Sequence, residues 1–524
     1  MNPIVRERQP VAVVALAATA GLWMAVAGTH AADVDRAGTD TVRLSIRVDL
    51  GKDVGQNFGT LVEVRDATGH VVAGAGFLGD CNTQSRSDRR LLHIYGPVRG
   101  TAAFKPEPLP RINGDAGTYL FEFDNRLFAR GRGRGIDGLL RAWDPANRQW
   151  EVDTNTIPFS IDVASKVLAT SPRGATYDGR DILRIDVGEG SVGETYYANG
   201  QFIFRQYDAT ATPPLNRLVA CPWSPGQGAA EWPVDQRQTV PLRTAREFVY
   251  AFGQLREQVV AATNTGGLYV FDGDNWRTIL EPDVTVSFQI YSMLNYHDIL
   301  LMGQYPTGEL FAYDGRTLQR RAGWPPVMPG VSHHAREAQT LTLYGGRLYV
   351  GVWPWGEVWR LDAGGQVWSL EGRMFTHPQP TAATTHPYEN ETTAIDPVLN
   401  RWGQRVTSMV PWGDSLYIAT SAKASTPYEP KFRFLAGDKW REYGRVYRLR
   451  QPGTLAVLTR WKGGPTTFDI EFGPERLSVE QDGQSLGTLQ LDPNGWGFQG
   501  PLRIEWGKGV FGPLRGKIVE RQVK

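Results

Sequence analysis

A short pattern that returns along the chain constrains its fold more than any other feature. Each copy is a glycine, a spacer, two mostly apolar residues, a second spacer, an apolar residue and an aspartate. Copies begin at Gly138, Gly266, Gly308 and Gly356, and a copy that has lost its aspartate begins at Gly444. Apolar positions between two turn-forming residues are typical of one β-strand. Each copy therefore predicts a strand that a glycine starts and a tight turn ends.

A second hairpin precedes the pattern in several of these units. Residues 344–351 and 412–419 are clear copies of it, and residues 295–302 and 198–204 are looser copies. Each unit then contains two hairpins, or four strands, in about 40–50 residues, which is the content and period of a β-propeller blade. An unrelated series of hairpins in a β-sandwich is the alternative, and the recurrence at fixed offsets favours the propeller.

These units predict an all-β chain with a β-propeller of six or seven four-stranded blades over residues 106–462. Counting the units gives six blades, and there are seven if the chain ends close the ring. No long helical period occurs after residue 32. The N-terminal segment 32–105 and the C-terminal segment 463–524 contain strands that depart from the blade pattern. We expect these two segments either to form one small β-sandwich or to close the ring.

The first 31 residues have the pattern of an export signal. Arg6 and Arg8 form a basic head, residues 11–28 are apolar, and small residues suited to cleavage follow. The sequence predicts a cleaved signal peptide over residues 1–31 and a secreted or periplasmic protein. An uncleaved membrane anchor is the alternative, because the apolar run has about the length that spans a membrane.

Charge and cysteine content narrow the partners and cofactors. The 56 Lys and Arg residues nearly balance the 55 Asp and Glu residues, so we expect no nucleic-acid partner. Cys81 and Cys221 allow either one disulfide or two unpaired thiols in an exported protein. No histidine or cysteine spacing predicts a metal-binding site, which leaves Ca²⁺ as an optional structural ion. We expect a monomer with no membrane contact beyond the signal segment.

Function on a propeller is carried by its loops, and the recurring strand sorts those loops by face. The connection between the second and third strands shares a face with the connection that leads into the next blade. In the first unit, the connection between the second and third strands contains Arg130, Arg132 and Arg134, which alternate with glycines. Guanidinium groups bind carboxylate or sulfate bidentately, which predicts an anion clamp. A solvated, flexible loop is the alternative.

Histidines, arginines and aromatic residues map to the same predicted face. They suit β-elimination of a uronate, which needs a cation for the carboxylate, a base for the C5 proton and an acid for the leaving oxygen. The predicted catalytic residues are His333, His334, Tyr196 and Arg336. The predicted substrate-binding residues beside the arginine clamp are Arg246, Trp355, His386, Tyr388 and Arg405.

Two other functions stay open at this point. Hydrolysis needs two carboxylates about 5–9 Å apart. The carboxylates that could supply such a pair are Glu194, Glu247, Glu337, Glu389 and Glu391. A non-catalytic carbohydrate-binding propeller is the second alternative, since adjacent arginine and glutamate residues can simply form salt bridges with each other.

Two stretches resemble known families. Residues 54–64 and 73–77 look similar to the N-terminal region of the ulvan lyases, which are propeller polysaccharide lyases acting on sulfated uronate polymers. Residues 476–520 resemble the closing strands of laminin-G and concanavalin-type lectin sandwiches, with a hairpin on Asp482 and Gly483. The first resemblance implies lyase activity and an anionic polysaccharide as partner. We therefore expect an exported, polysaccharide-active propeller, with lyase chemistry as the leading hypothesis.

Overall fold

Strands dominate the part of the chain that the computed structural model describes, which is residues 32–34, 41–53, 55–82, 85–86, 89–97, 104–112, 114, 116–133, 139–154, 161–163, 166–225, 237–395, 401–424, 427–460 and 463–524. The prediction of an all-β chain is confirmed. The helical elements of this part are α1 (Pro387–Ile395) and three 3₁₀ turns, Arg433–Leu435, Lys439–Glu442 and Pro493–Gly495. No helix among the described residues is long and apolar enough to cross a membrane. The signal peptide predicted for residues 1–31 lies outside the described residues.

The strands form an N-terminal, a central and a C-terminal group. The N-terminal strands are β1 (Ala32–Val34), β2 (Val42–Asp49), β3 (Thr60–Arg65), β4 (Val71–Phe77), β5 (Asp80–Asn82), β6 (Ser85–Arg86), β7 (Leu91–Tyr95) and β8 (Glu107–Pro108). The first central strands are β9 (Gly117–Phe123), β10 (Arg126–Arg132), β11 (Leu140–Asp144), β12 (Gln149–Asp153), β13 (Ile161–Val163), β14 (Lys166–Ser171), β15 (Gly174–Tyr177), β16 (Arg180–Arg184), β17 (Ser191–Ala198), β18 (Gln201–Asp208), β19 (Leu215–Pro222) and β20 (Gln238–Pro241).

The remaining strands complete the central and C-terminal groups. The later central strands are β21 (Val249–Leu255), β22 (Gln258–Thr263), β23 (Leu268–Phe271), β24 (Trp276–Leu280), β25 (Gln289–Tyr296), β26 (Ile299–Tyr305), β27 (Leu310–Tyr313), β28 (Leu318–Arg321), β29 (Glu337–Tyr344), β30 (Arg347–Trp353), β31 (Glu357–Leu361), β32 (Trp368–Arg373), β33 (Gln404–Trp412), β34 (Ser415–Ala422) and β35 (Val446–Arg450). The C-terminal strands are β36 (Thr454–Leu458), β37 (Pro465–Phe472), β38 (Arg476–Gln481), β39 (Gln484–Gln490), β40 (Leu502–Trp506) and β41 (Lys517–Val523).

The central strands follow one another as four-stranded antiparallel sheets in chain order. β9 to β12, β13 to β16, β17 to β20, β21 to β24, β25 to β28 and β29 to β32 each pair in sequence. β33 to β35 form a further sheet, whose fourth strand is β8. The first strands of neighbouring sheets contact one another, β21 with β25, β25 with β29, β29 with β33 and β33 with β9. This is the arrangement of blades in a β-propeller, as the repeat predicted.

The recurring pattern is the third strand of its sheet in β11, β23, β27, β31 and β35. Its glycine is needed for backbone geometry, because φ is +84° at Gly266, +70° at Gly308 and +61° at Gly356. Residues with a Cβ enter that region only with strain. A Cβ on Gly266 would also lie 1.8 Å from the carbonyl oxygen of Ser287. The glycine therefore lets the chain turn tightly into the third strand.

The aspartate of the pattern holds the turn that follows the third strand. The Oδ1 of Asp314 accepts hydrogen bonds from the N–H groups two and three residues further on, at 2.8 and 2.7 Å. Asp272 holds its turn in the same way, and Asp362 holds a longer turn by accepting from the N–H groups four and five residues further on. Arg450 stands at this position in the fifth copy, where β8 and not the following residues supplies the fourth strand. The aspartate is thus absent where the chain makes no local hairpin.

The two chain ends together build two further sheets, which we call the end sheets. Their strand orders are β1-β40-β3-β4-β7-β36 and β39-β38-β37-β2-β41. Side chains from both sheets share one hydrophobic core, which includes Ile46, Val64, Phe468 and Ile504. Residues 454–458, predicted to belong to the propeller, form β36 and pair with β7 in the end sheets. The last strand that pairs within the central sheets, β35, ends at Arg450.

The end sheets pack on the face of the propeller that carries the turns between first and second strands, which we call the turn face. The Gln254 side-chain amide donates to Oε1 of Gln56 at 2.9 Å. The backbone N–H of His297 donates to the carbonyl of Val510 at 3.2 Å. His297 lies in the turn after β25, on this face.

Part of the N-terminal segment runs inside the ring of first strands. β5 pairs with the free edge of β25 and contacts β21 and β29, while β6 pairs with β9 and contacts β33. The Asn82 side-chain amide donates to the carbonyl of Gln339 at 3.1 Å. Cys81 in β5 and Cys221 in β19 are both free thiols in the structure. The alternative of two unpaired cysteines is therefore the one that the structure contains.

A buried carboxyl in the end sheets should make folding depend on pH. The Glu63 side chain is fully buried, and burial raises its pKa from 4.5 to about 7, against the opposing effects of Arg65 and of the Val510 N–H. The folded protein then holds this proton more tightly than the unfolded chain does. The stabilisation is complete below about pH 4.5 and disappears as the pH rises to about 7.

We expect the Glu63 carboxyl to lower the free energy of unfolding by about 3 kcal/mol across that interval, at about 1.4 kcal/mol per pKa unit. Glu63→Gln should remove this slope, because glutamine is neutral at every pH. Urea denaturation below and above the interval measures the difference between wild type and variant. Glu505→Gln is the control, since Glu505 pairs with the same Arg65 at 3.2 Å but is partly exposed. An unchanged slope in Glu63→Gln would contradict the assignment.

Gly96 should tolerate no side chain, because the end sheets are closely packed there. A Cβ on Gly96 would lie 1.9 Å from the ring of Trp496, which is itself buried. We expect Gly96→Ala to destabilise the protein by about 1–3 kcal/mol, the usual cost of overpacking. Gly464→Ala is the matched control, with no atom within 4 Å of the added Cβ. Thermal unfolding that is equal for the two variants would argue against this packing.

Candidate functional site

The candidate site lies on the propeller face opposite the end sheets, which we call the site face. First strands begin there and second strands end there, so Gln289 pairs with Tyr305 and Glu337 pairs with Trp353. The loops that the sequence rule assigned to one face, before the first strand and after the second, do meet at this face. The ring therefore brings the ends of consecutive sheets close together.

A lysine enclosed by aromatic rings is the most distinctive feature of the site face. The Nζ of Lys423 lies 4.3 Å from the ring centroid of Trp353, 5.0 Å from Tyr305 and 5.6 Å from Tyr291. It also forms an ion pair with Oε2 of Glu337. We call these five residues the lysine box. Cation–π contacts and the carboxylate together hold the ammonium group.

Arg405 adds a second cation to the lysine box. Its Nη2 lies 3.5 Å from Oε1 of Glu337, and its guanidinium carbon lies 5.7 Å from the ring centroid of Tyr291. The side chains of Glu337, Arg405 and Lys423 are 0%, 6% and 12% exposed. Two buried cations therefore share one carboxylate, which leaves a net positive charge close to the surface. Such a site attracts an anion.

Burial changes the proton affinities of the lysine box. It lowers the pKa of Lys423, while the Glu337 carboxylate acts in the opposite direction. Burial, with a further contribution from Glu337, raises the pKa of Tyr250, Tyr291 and Tyr305. The phenols therefore stay protonated and can donate hydrogen bonds to a ligand. Lys423 loses its proton more readily than an exposed lysine does.

Aromatic rings extend from the lysine box towards solvent. Tyr250 stacks on Tyr291 at 5.0 Å between centroids and contacts Phe248 at 5.0 Å. Phe288 lies 5.8 Å from Tyr305 and is 40% exposed. Exposed aromatic rings beside charged groups suit the binding of sugar rings, which present apolar faces and polar edges.

The predicted arginine clamp lies partly on a strand. β10 extends to Arg132, so Arg130 and Arg132 belong to regular structure and not to a flexible loop. Burial, and then the charge of Arg132, lowers the pKa of Arg130. Arg132 is exposed, and its guanidinium carbon lies 5.3 Å from the ring centroid of Tyr119. Arg134 lies outside the described residues.

Arg132 is joined to the lysine box through the backbone. The N–H of Ala116 donates to the carbonyl of Arg132 at 3.0 Å, and the N–H of Ala422 donates to the carbonyl of Ala116 at 2.8 Å. Lys423 follows Ala422 directly. Two backbone hydrogen bonds therefore link the exposed Arg132 to the residue that precedes the enclosed lysine.

The sequence Ala-Arg-Glu occurs twice before a first strand, at residues 245–247 and 335–337, and the two segments differ in their surroundings. Arg246 is exposed and Glu247 is buried, whereas Arg336 and Glu337 are both buried. Arg336 pairs with Glu357, at 3.2 Å between Nη2 and Oε2. The adjacent arginine and glutamate do not pair with each other in either segment. Arg336, predicted as catalytic, is 1% exposed and committed to a buried carboxylate, so its structural position is that of an anchor.

The predicted histidine pair lies on the site face. His333 and His334 are exposed in the segment that leads into β29. Arg336 anchors this segment, because its backbone N–H donates to the carbonyl of Pro306 at 2.8 Å and its Nη2 donates to that of Pro326 at 3.0 Å. The histidines are therefore available to a ligand at this face.

Trp355, His386 and Tyr388, predicted as substrate-binding, come together but are buried. His386 lies 4.6 Å from the ring of Trp355 and 5.3 Å from that of Tyr388, and each of the three is at most 5% exposed. Burial lowers the pKa of His386 to about 3, so this imidazole stays neutral. The three rings pack beneath the surface of the site face and support it.

Tyr196 lies away from the other predicted site residues. It is 4% exposed, stacks on Phe252 at 5.2 Å between centroids and lies under the guanidinium of Arg89 at 4.7 Å. β17 begins at Ser191 and turns after Ala198, which places Tyr196 near the turn face. The expectation that it lies on the site face assumed a later start for this strand and is corrected here.

Three of the carboxylates considered for hydrolysis, besides Glu337, are already engaged, whereas Glu391 is exposed. Glu247 accepts a hydrogen bond from Thr263 at 2.7 Å and another from Tyr269 at 3.1 Å. Glu389 accepts from three backbone N–H groups of residues 401–403. Glu194 forms an ion pair with Arg205 at 2.7 Å. These contacts favour structural roles for the three side chains.

Sequence reasoning missed the lysine box as a unit. Tyr305 and Trp353 occupy the last position of β26 and β30, and each is followed by proline. Lys423 comes one residue after the end of β34. The repeated aromatic-proline pair at equivalent offsets was the available signal. Among the described residues, no group of three or more His, Cys, Asp and Glu side chains could hold a metal ion.

Comparison with known proteins gives only distant likenesses. No protein-family model matches the chain, and no curated protein sequence matches it. Among solved structures, the computationally designed Ika8 protein has a TM-score of 0.34 and 13% identity, covering 77% of this chain and 100% of its own. YCF48 bound to D1 peptide has a TM-score of 0.35 and 12% identity, with 66% and 96% covered. BamB from Moraxella catarrhalis has a TM-score of 0.26 and 10% identity, with 76% and 99% covered. At these scores the architecture rests on the strand pairing alone.

Removing the carboxylate of the lysine box should be costly. Glu337→Gln leaves Lys423 and Arg405 buried without a counter-charge, and breaking such a cluster costs about 3–5 kcal/mol. Glu247→Gln is the matched control, because Glu247 follows the same Ala-Arg pair in sequence, is equally buried and accepts hydrogen bonds only from neutral groups, namely Thr263, Tyr269 and the backbone N–H groups of residues 243 and 244. We expect that variant to lose about 1–2 kcal/mol. Urea denaturation compares the two, and equal losses would contradict the charge assignment.

Proposed function

We propose that this protein is exported, binds an acidic polysaccharide across the site face and cleaves it at uronate residues by β-elimination. One observation carries the proposal. Two buried cations, Lys423 and Arg405, share the single carboxylate of Glu337 within a wall of aromatic rings. Such a site suits a ligand that brings its own carboxylate and presents sugar rings for stacking.

We also propose the finer architecture that this function uses. The propeller has seven blades, with β8 as the outer strand of the last blade, and the end sheets form a β-sandwich. The pairing of β8 with β35 and the core shared by the two end sheets support this arrangement. A ring closed by its own first strand keeps the blade ends at the site face in fixed positions.

In the proposed reaction, arginines neutralise the substrate carboxylate. Arg405 and Arg132 supply the guanidinium groups, which makes the C5 proton of the uronate more acidic. Lys423 first gives its own proton to solvent, a loss that burial assists and Glu337 opposes, and then takes the C5 proton. The electron pair forms the C4–C5 double bond as the C4–O bond breaks. A protonated tyrosine of the site, with Tyr250 the best placed towards solvent, gives its proton to the leaving oxygen.

We favour elimination over hydrolysis because protein hydrogen bonds and ion pairs already engage several of the candidate carboxylates. Hydrolysis by two carboxyl groups would require a free pair about 5–9 Å apart. Glu247, Glu389 and Glu194 are each engaged by protein donors. His333 and His334, exposed beside the site, are proposed to contact the polymer away from the reacting bond.

The proposed activity can be tested with uronate polymers. The unsaturated product of β-elimination absorbs ultraviolet light, so incubation of the protein with a panel of uronate polymers should give rising absorbance. Lys423→Met should slow product formation by at least about 100-fold, the usual contribution of a positioned base. Arg132→Ala should weaken retention on a uronate gel.

Control variants separate these effects from general damage. Arg503→Gln removes one positive charge from the end sheets, where Arg503 is 56% exposed, and should leave both readouts unchanged. New reducing ends without ultraviolet absorbance would support hydrolysis instead. Binding without either signal would support a carbohydrate-binding propeller, and equal rates for wild type and Lys423→Met would exclude Lys423 as the base.

A further inference from the structure

A cavity lies on the side of the propeller opposite the site face, where the end sheets meet the turn face. It has a volume of about 400 Å³, within the range of small-molecule sites. The propeller contributes Arg347, from the start of β30, and Gln451, from the end of the last sheet. The end sheets contribute Asp66, Phe498 and Gln499. We call it the junction pocket.

Arg347 is the charged group at one end of the junction pocket. Its Nη1 donates to Oε1 of Gln451 at 3.3 Å, and no described carboxylate lies within ion-pair distance of it. Burial lowers its pKa, as expected for a guanidinium that has been partly removed from water without a counter-ion in contact. Arg347 lines the pocket and can therefore offer further N–H bonds to a ligand.

The rest of the junction pocket offers an apolar wall and polar edges. Phe498 is half-buried and supplies a ring, while Val71 and Val72 extend the apolar surface. Gln499 is exposed and can donate or accept hydrogen bonds. Asp66 uses Oδ1 to hold its own turn, at 2.8 Å from the N–H of Thr68, and its Oδ2 accepts no hydrogen bond from a described residue. A ligand with hydroxyl groups can donate to that carboxylate.

We propose that the junction pocket is a second carbohydrate-binding site, which takes an acidic sugar residue. The sugar carboxylate binds the guanidinium of Arg347, the ring packs on Phe498, and hydroxyl groups reach Asp66 and Gln499. A simple inorganic anion does not fit as well, because the Asp66 carboxylate repels it and it has no apolar surface that could pack on the apolar wall. The two sites lie on opposite faces of the propeller, so one acidic chain can be held by one while it occupies the other.

The site on this side does not depend on the chemistry proposed for the site face. The test uses the full chain with Lys423→Met and Arg132→Ala, so that the junction pocket is the binding site under study. We expect isothermal titration with a glucuronate-containing disaccharide to show one binding event. Adding Arg347→Gln should weaken it about 10–100-fold, the effect of losing a charged hydrogen bond. Phe498→Ala should also weaken it.

Arg503→Gln in the same background is the charge-matched control and should leave the binding event unchanged. Thermal unfolding of each variant checks that the end sheets remain folded. Absence of binding in the Lys423→Met, Arg132→Ala background would overturn the proposal, and so would binding that survives both Arg347→Gln and Phe498→Ala. Failure of the site-face proposal would appear differently, as a wild-type protein that forms no unsaturated product.

Discussion

The pairing of the first strands of the chain with its last strands is the constraint on which the rest of the structure depends. β8 completes the sheet of β33 to β35, and β2 lies between β37 and β41. The first pairing joins the start of the chain to the last central sheet, and the second places the start of the chain within the end sheets. Tyr291, Glu337 and Arg405 come from the first strands of three neighbouring sheets. Their distances from one another are therefore set by the contacts between these sheets.

Burying the charged groups of the lysine box costs the folded protein free energy. Buried ion pairs seldom stabilise a protein relative to apolar packing, because desolvation of the charges offsets their attraction. Glu247, which follows the same Ala-Arg pair in sequence, shows that a buried carboxylate in this fold can be held by neutral donors alone. Charges such as those of Lys423 and Arg405 are therefore not the only way to hold such a carboxylate. Charged groups kept in a low-dielectric site without a structural need are typical of functional sites.

Sequence reasoning succeeded where local chemistry decides local structure. The glycine that needs a positive φ and the aspartate that caps the next turn identified the third strand of five sheets, because both requirements lie within one hairpin. The same pattern sorted the loops by face, which placed His333, His334, Arg132 and Arg405 on the site face. The burial of Trp355, His386 and Arg336 could not be predicted in this way, since it depends on contacts between sheets that are distant in sequence.

Two features escaped prediction for related reasons. Lys423 meets its aromatic neighbours only because three consecutive sheets end at one place, and the long segment around it carries no repeat. Tyr196 was misplaced because its unit is a loose copy of the pattern, and an error of a few residues in the start of a strand moves a side chain along the whole depth of the sheet. The strand pairings of the end sheets span more than 400 residues, from β2 to β37 and β41, and no local signal specifies them.

The path of β5 and β6 inside the ring has a consequence for how the molecule comes into being. These strands lie in the interior of the propeller, against the first strands of its sheets. They are synthesised before any of the sheets that surround them. The sheets must therefore gather around a segment that is already present. A fragment that begins at the first repeat would lack β5 and β6 from the interior and β8 from the last sheet. We therefore do not expect the propeller to fold as an independent domain. The N-terminal segment, which does not show the repeat, thus forms part of the interior around which the repeated sheets pack.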